Sequence, residues 1–490
     1  MAEDESPNGQ DESEETNQRV FPLPLSPFEK FLLWDETVTC PMNSFIELHF
    51  DDHLDLDCLR KSLHAAVHRN PMLACRTRTI DGEMYWEYDA DYVPELRLEA
   101  DDAPLYAGRP RPIDLFNECG SRYWYRETES GSRLLIQLHH ACTDGVGLRR
   151  VLIDTLTGYA QRTSAESATG REMKSGSGAS RTARWDKLQV ELLRDRFDFS
   201  KSFSGPPARS LTTWQRIKNA HYFHFQPPTT LQQRSSNSAV TASLQQEEQL
   251  GEPLRHFMLD EVTTKAATER AKLLGVGVNE VALGLLFLAC KDWNVALGDR
   301  RPASRLRLLM PYDLRSRIDL RMPAANRLSF SFLGRTHAQI GSLDDQSSVD
   351  CLIRGLQAEI KSIKETRLQM DFIEAIRGAS TNPRFFRWLL SKSNRMATSV
   401  LTYTGDISRG MKKYFPEQDG CRLIGNARLR NILVAPPVRR NTNISLGLCV
   451  NWGKLCFSAA WNRDAFTATD CGDFLEIYRR CWTEWSRVTK

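Results

Sequence analysis

Adjacent histidines, His139 and His140, precede Asp144, Gly145 and Gly147 in the run Leu134-Leu-Ile-Gln-Leu138-His139-His140-Ala-Cys142-Thr-Asp144-Gly145-Val-Gly147. A neutral imidazole can take a proton from a hydroxyl, amine or thiol near neutral pH. An aspartate four residues on can orient the ring, or pair with an arginine and hold the loop. The apolar alternation puts Leu134, Ile136, Leu138 and His140 on one face of a strand, and Leu135, Gln137 and His139 on the other. The two imidazoles then diverge, so they cannot chelate one metal together. The competing reading is two ordinary histidines ahead of an Asp-Gly turn. Cys142, inside the same run, invites a nucleophile reading.

These residues need a frame. His140 sits where a strand emerges into a turn, and Gly145 and Gly147 permit close backbone approach just beyond it. Leu148, Val151, Leu152, Thr155, Leu156 and Tyr159 share one helical face, giving the order strand, loop with His and Asp, buried helix. Ahead of them, Tyr123–Glu127 and Arg133–His140 read as a hairpin around Ser130-Gly131-Ser132. Ser26, Pro27 and Glu29 mark a helix start. Glu47 to Phe50 reads as a strand, and Leu54 to Val67 as a helix stopped by Asn70-Pro71.

The second half repeats this mixture. Asp260 caps a helix over Glu261 to Leu274, and Asn279 caps an apolar one running to Val295. Arg305 to Met310 alternates as a strand ended by Pro311. Residues 348–366 and 380–396 carry helical spacing. Ser399–Tyr403, Ile444–Val450 and Leu455–Trp461 read as strands, and Thr469 to Trp485 as a closing helix. The class is α/β or α+β with two comparable halves.

The polar stretches 161–184 and 226–252 read as loops or linkers, with room for one helix and a short extended piece over 185–225. The expected organisation is a disordered acidic tail over 1–20, an N-terminal half over 21–185, a crossover region over 186–253 and a C-terminal half over 254–490. The tail holds seven acidic side chains against one arginine.

Composition narrows the classes. Of 490 residues, 41% are hydrophobic and 26% charged, which is ordinary for a globular chain. Lys and Arg number 65 against 62 Asp and Glu, and a net charge of +3 argues against nucleic acid as the main partner. No apolar run reaches the length of a transmembrane helix, and the acidic start lacks the features of a signal peptide. A cytoplasmic setting is therefore expected, with the twelve cysteines as reduced thiols. None forms a CxxC pair, and His221 and His224 read as surface residues, so no metal site is expected. Asn443-Ile444-Ser445 is a sequon with no meaning for a cytosolic chain.

The stretch from His139 to Gly145 resembles the HHxxxDG motif of the acyltransferase superfamily that uses acyl-CoA or carrier-protein thioesters. Condensation domains, wax ester synthase-like enzymes, plant alcohol acyltransferases and chloramphenicol acetyltransferase share that motif. Other segments are similar in the expected order: Leu25-Ser26-Pro27 through Trp34, His68-Arg69-Asn70-Pro71, Gly275 to Val281, Met310 to Arg315, and Ala325-Asn326. Together they span about 21–488 of the chain.

The resemblance implies two chloramphenicol acetyltransferase-like halves, each a mixed sheet flanked by helices, with a channel between them. It implies an acyl transfer from a CoA or carrier-protein thioester to an alcohol or amine. His140 would be the general base and His139 a packed structural residue. Asp144 would pair with Arg315 across the halves, and Gly145 would leave room at the channel. The expected chain is a stand-alone monomer with no permanently bound cofactor and no metal. Its partners would be an acyl-CoA or acyl carrier protein and a small acceptor. Two departures stand out: the D-F-G-W-G motif of plant members is missing, and Ala325 stands where Gly is usual. The alternative is a non-catalytic relative that binds a thioester, a carrier protein or another protein. Nine arginines lie between 300 and 335. They could hold donor phosphates, but a solvated face plus one buried ion pair is the simpler expectation.

Overall fold

The computed structural model describes residues 15–99, 111–169, 184–203, 206–212, 214–215, 226–234, 252–391 and 395–487. The helices used below are α1 (Pro27–Asp35), α2 (Leu56–Arg69), α3 (Gly145–Thr169), α4 (Glu261–Leu274), α5 (Val278–Ala296), α6 (Gln346–Thr366), α7 (Gln369–Ser380), α8 (Pro383–Ser391) and α9 (Ala468–Ser486). The strands are β1 (Asn43–Phe50), β2 (Ser121–Thr128), β3 (Gly131–His139), β4 (Arg255–Met258), β5 (Arg305–Asp313), β6 (Leu328–Thr336), β7 (Ser399–Asp406), β8 (Ala427–Ala435), β9 (Ile444–Asn451) and β10 (Lys454–Trp461).

Two sheets carry the site. The larger has seven strands in the order 417–418, 421–424, β8, β1, β3, β2 and 96–98. Its centre is the antiparallel pair β1 and β3, with Asn43 opposite His139 and Ile46 opposite Ile136. The other has six strands in the order β6, β5, β7, β9, β10 and β4. It is mixed, because β7 runs parallel to both β5 and β9 while the other pairs are antiparallel. A smaller three-stranded sheet joins 23–24, 83–88 and 75–80.

Helices cover these sheets by burying apolar faces. Val151, Leu152, Leu156 and Tyr159 of α3 pack into one core with Leu134, Ile136 and Leu138 of β3. The second core gathers α5, α6 and α9 over β5, β7, β9 and β10. In α5 every residue from Val281 to Cys290 is buried, so its all-round apolar character reflects a core position. No single helix among the described residues is long and apolar enough to cross a membrane.

The sheets do not divide where the sequence does. Strand β8 and the two short strands before it complete the sheet that β1 and β3 begin, with Ala435 opposite Phe45 and Ile432 opposite Leu48. The halves are thereby interlocked through backbone hydrogen bonds.

Several local expectations change. Order begins before Phe21: residues 15–20 are helical, Val20 and Asn17 are buried, and Asn17 Nδ2 donates to His68 O at 3.0 Å. Residues 161–169 continue α3 instead of opening a loop. In 185–225, the described residues include the 3₁₀ segments Val190–Asp195 and Ser200–Ser202 and the helical residues 214–215, while 204–205, 213 and 216–225 lie outside the described residues. Helix α5 starts after Gly277, and Asn279 lies inside it with Nδ2 near Met310 Sδ at 3.5 Å.

Strand β5 passes through Pro311, opposite Phe330. It contacts β7 only at Leu308 and Leu309, so Pro311 lies where one neighbour remains, a setting that tolerates a missing donor. Of the span 380–396, only Pro383–Ser391 is helical, as α8; α7 lies ahead of it and ends at Ser380, with the break before Pro383. Residues 1–14, 170–183, 235–251, His221 and His224 lie outside the described residues.

Candidate active site

Strand β3 ends at His139, and the chain turns into α3 within five residues. His140 N donates to Met42 O at 2.7 Å and Cys142 N to His139 O at 3.0 Å, which closes a tight corner. The two imidazoles leave it in different environments. His139 is fully buried; its Nδ1 accepts from Ala141 N at 3.0 Å, and its Nε2 faces the Glu36 carboxylate at 3.4 Å. Because Nδ1 accepts, the proton of a neutral His139 sits on Nε2.

His140 is half-buried and has the opposite tautomer. Its Nδ1 lies 2.9 Å from Thr143 O. A carbonyl can only accept, so Nδ1 carries the proton and Nε2 keeps its lone pair. Nε2 has no hydrogen-bond partner among the described residues. Burial pushes the His140 pKa below its ordinary 6.5, and the Thr143 carbonyl and Asp144 only partly offset that. At neutral pH the ring is thus an uncharged base.

Asp144 holds the corner rigid. It is buried and caps α3, its Oδ1 accepting from Val146 N at 3.1 Å and Gly147 N at 3.0 Å. The second half supplies the other partners. Arg315 grips both carboxylate oxygens at 2.9 Å, and Arg327 N donates to Oδ2 at 2.8 Å. Burial alone would raise the Asp144 pKa, but the Arg315 guanidinium and the backbone donors outweigh it and hold the carboxyl below its usual range. Arg315 is also bound to Ala325 O at 2.8 Å and Asp313 Oδ1 at 3.0 Å. The structure therefore brings Asp144 and Arg315 together, although 171 positions separate them.

The two glycines after Asp144 differ. A Cβ on Gly147 would come within 2.1 Å of Thr143 Oγ1 and about 3.1–3.2 Å of the Ala324–Ala325 backbone. A Cβ on Gly145 would meet nothing within 4 Å. Gly147 permits contact between the halves, and Gly145 faces open space.

Two residues that the sequence offered only as parts of weaker matches complete the frame. Asn326 Nδ2 donates to His140 O at 2.8 Å and Ala141 O at 2.7 Å, reaching the turn from the second half. Asn70 Oδ1 accepts from Ala324 N at 2.8 Å, while its Nδ2 reaches Asp154 at 2.9 Å on α3. Their places in His68-Arg69-Asn70-Pro71 and Ala325-Asn326 were the available signal.

Cys142 is buried with its Sγ against Gly120, and burial pushes its thiol well up, which is the wrong direction for a nucleophile. The arginine run is more buried than expected. Arg307 and Arg327 are buried, and the Arg315 side chain is nearly covered. Arg307 donates to Gln226 O, and Arg327 donates to Asp195 O and Asp198 O. Asn443 is buried too, its amide bound to Leu231 O at 2.8 Å.

A cavity of about 490 Å³ lies between the halves, lined by Thr37, Thr39 and Cys40 on one side and Arg395, Arg440 and Asp464 on the other. His140 is not among its lining residues, but Cys40 is two residues from Met42, whose carbonyl receives the His140 N–H.

No family model and no curated protein matches the sequence. Solved structures do. The first condensation domain of the calcium-dependent antibiotic synthetase, in complex with a substrate analogue, matches with TM-score 0.62 at 12% identity, over 95% of this chain and 96% of that chain. The fold is that of the condensation domains. A doubly substituted mutant of the starter condensation domain of rhizomide synthetase, in complex with C8-CoA and Leu-SNAC, matches at 12% identity and TM-score 0.57, over 97% of each chain. Trichothecene 15-O-acetyltransferase from Fusarium sporotrichioides matches at 10% identity and TM-score 0.62, over 93% of each chain. The condensation-domain fold is thus shared with an acetyltransferase. In this chain the fold puts His140 at the exit of a central strand and the Asp144–Arg315 pair at the seam between the halves.

Proposed function

We propose that this chain is an acyltransferase that moves an acyl group from a CoA or carrier-linked thioester to an alcohol or amine. His140 Nε2 takes the proton from the acceptor's O–H or N–H as that atom attacks the thioester carbonyl carbon. The tetrahedral adduct collapses, the C–S bond breaks, and the imidazolium returns its proton to the leaving thiolate. The ester or amide and a free thiol result, and His140 is restored as the neutral ring.

The observation that carries this reading is the Nδ1 contact to Thr143 O, which fixes the tautomer and leaves Nε2 as an acceptor. Asp144 contributes by position: it caps α3 and ties the turn to Arg315, so the base does not swing. The C8-CoA bound by the rhizomide domain makes medium-chain acyl-CoA the first donor to try. The test is release of free thiol from an acyl-CoA panel with alcohol and amine acceptors, using wild type and His140→Ala. The expected loss is roughly 10²–10⁴-fold, the usual share of a positioned base. Equal rates in the two proteins would overturn the reading.

A further inference from the structure

The cavity between the halves has walls unlike those of an acyl-chain pocket. Thr37 and Thr39 face it from the segment after α1, Thr230 from the crossover, and Asn441 and Asn443 from the segment before β9. Cys40 is the one hydrophobic residue in the lining. An alkyl chain placed there would trade water for hydroxyls and amides and gain little. About 490 Å³ is nevertheless the size of an ordinary ligand site.

Its charge is specific. Arg395 and Arg440 line the cavity together with Asp464. The Arg395 side chain is exposed and makes no hydrogen bond or ion pair with the described residues. A guanidinium in that state offers a planar fork that matches a carboxylate.

The walls are also held in place. Asp35, at the end of α1, is buried against Arg439, whose Nη2 lies 2.6 Å from Asp35 Oδ1 and whose Nε contacts Oδ2. That pair ties the segment carrying Thr37–Cys40 to the segment carrying Arg440. The cavity wall is also continuous in chain with the turn that carries the base. Two residues of chain span at most about 7 Å, and Cys40 is two residues from the carbonyl that holds His140 N.

Taking the acyl-transfer reading as its premise, we infer that this cavity seats the acceptor, and that the acceptor is a hydroxylated monocarboxylate whose carboxylate is gripped by Arg395. One guanidinium without a partner among the described residues matches one carboxylate. The nucleotide end of CoA also carries anions, but its three phosphate groups exceed what this lining can neutralise. The acyl chain of the donor then has to approach His140 from outside this polar cavity.

The test uses the full chain and reads binding, so that it stands apart from catalysis. Lactate, glycerate and gluconate are titrated by calorimetry and thermal shift beside neutral lactamide and gluconamide, with wild type and Arg395→Gln. At least one carboxylate should bind saturably, its amide should not, and Arg395→Gln should weaken binding by about tenfold or more. Adenosine 3′,5′-bisphosphate should not displace the bound carboxylate. Three results would overturn the inference: amides binding as well as acids, no response to Arg395→Gln, or no carboxylate binding at all. Displacement by the bisphosphate would overturn it too, by assigning the cavity to the donor. A carboxylate that binds through Arg395, in a protein whose thiol release is unaffected by His140→Ala, would leave the site standing and remove the acyl-transfer reading.

Discussion

The two adjacent imidazoles are distinguished by which nitrogen each must keep protonated. His139 accepts at Nδ1 and is sealed in the core; His140 donates from Nδ1 and leaves Nε2 free. The divergence of the rings is readable from strand alternation, because successive side chains point to opposite faces. The tautomers are not, since they depend on the backbone of Ala141 and Thr143 after the strand has ended. The difference makes a prediction about paired variants. His139→Ala should lower stability by about 1–3 kcal/mol, because it leaves a buried donor, the Ala141 N–H, unpaired. His140→Ala should cost under about 1 kcal/mol by the same measure, since its ring is half-buried and gives up one hydrogen bond to a backbone carbonyl. Denaturant unfolding of the two proteins side by side reads the contrast. Equal losses would mean that the two rings do not differ in role.

Helix α3 opens with two glycines in its first three residues, Gly145 and Gly147. Glycine usually weakens a helix relative to alanine by up to about 1 kcal/mol, so Gly→Ala changes there should be mildly favourable. Gly145→Ala should follow that rule and shift stability by under about 1 kcal/mol, because nothing lies within 4 Å of the added methyl. Gly147→Ala should reverse it and cost about 1–3 kcal/mol, because the methyl meets Thr143 and the backbone of residues 324–325. Thermal melts of both variants decide this, and a stable Gly147→Ala protein would mean that the seam is looser than described. Local signals read well where a side chain controls its own neighbourhood: Ser26 and Asp260 cap the helices that follow them. They read poorly where the deciding contact is remote. Pro311 would end an isolated strand, yet β5 continues because β6 pairs with it along one edge. Asn279 has the right side chain for a cap, but its backbone is already helical and Gly277 takes the position.

For the whole molecule, the seam between the halves is both the site's support and the part least legible in the sequence. The strands over 417–435 join a sheet whose other members lie at least 278 positions earlier, and no local pattern announces such a partner. The Asp144–Arg315 pair was accessible only through the family resemblance, and Asn326 and Asn70 were visible as residues without visible purposes. The pair makes a stability prediction. Removing either partner leaves a buried charge, so Asp144→Ala and Arg315→Ala should each cost about 3–5 kcal/mol. The double variant should cost less than their sum, and additive, small effects would deny the contact. The pH dependence follows from the direction of the shift. The folded Asp144 pKa is held below the ordinary carboxylate value of 3.8, so its contribution is complete above that value and is lost as pH falls below it. Wild type should therefore lose stability toward Asp144→Asn as pH drops below about 4, a convergence that urea melts at stepped pH would show.

The central claim is that His140 Nε2 acts as the base, and the pH–rate profile of thiol release from an acyl-CoA tests it most directly. The neutral ring is the active form and burial lowers its pKa, so kcat/KM should fall on the acid side with a midpoint below 6.5. That limb should vanish in His140→Ala together with most of the rate. A limb that survives unchanged in His140→Ala, or a rate that does not drop, would contradict the account.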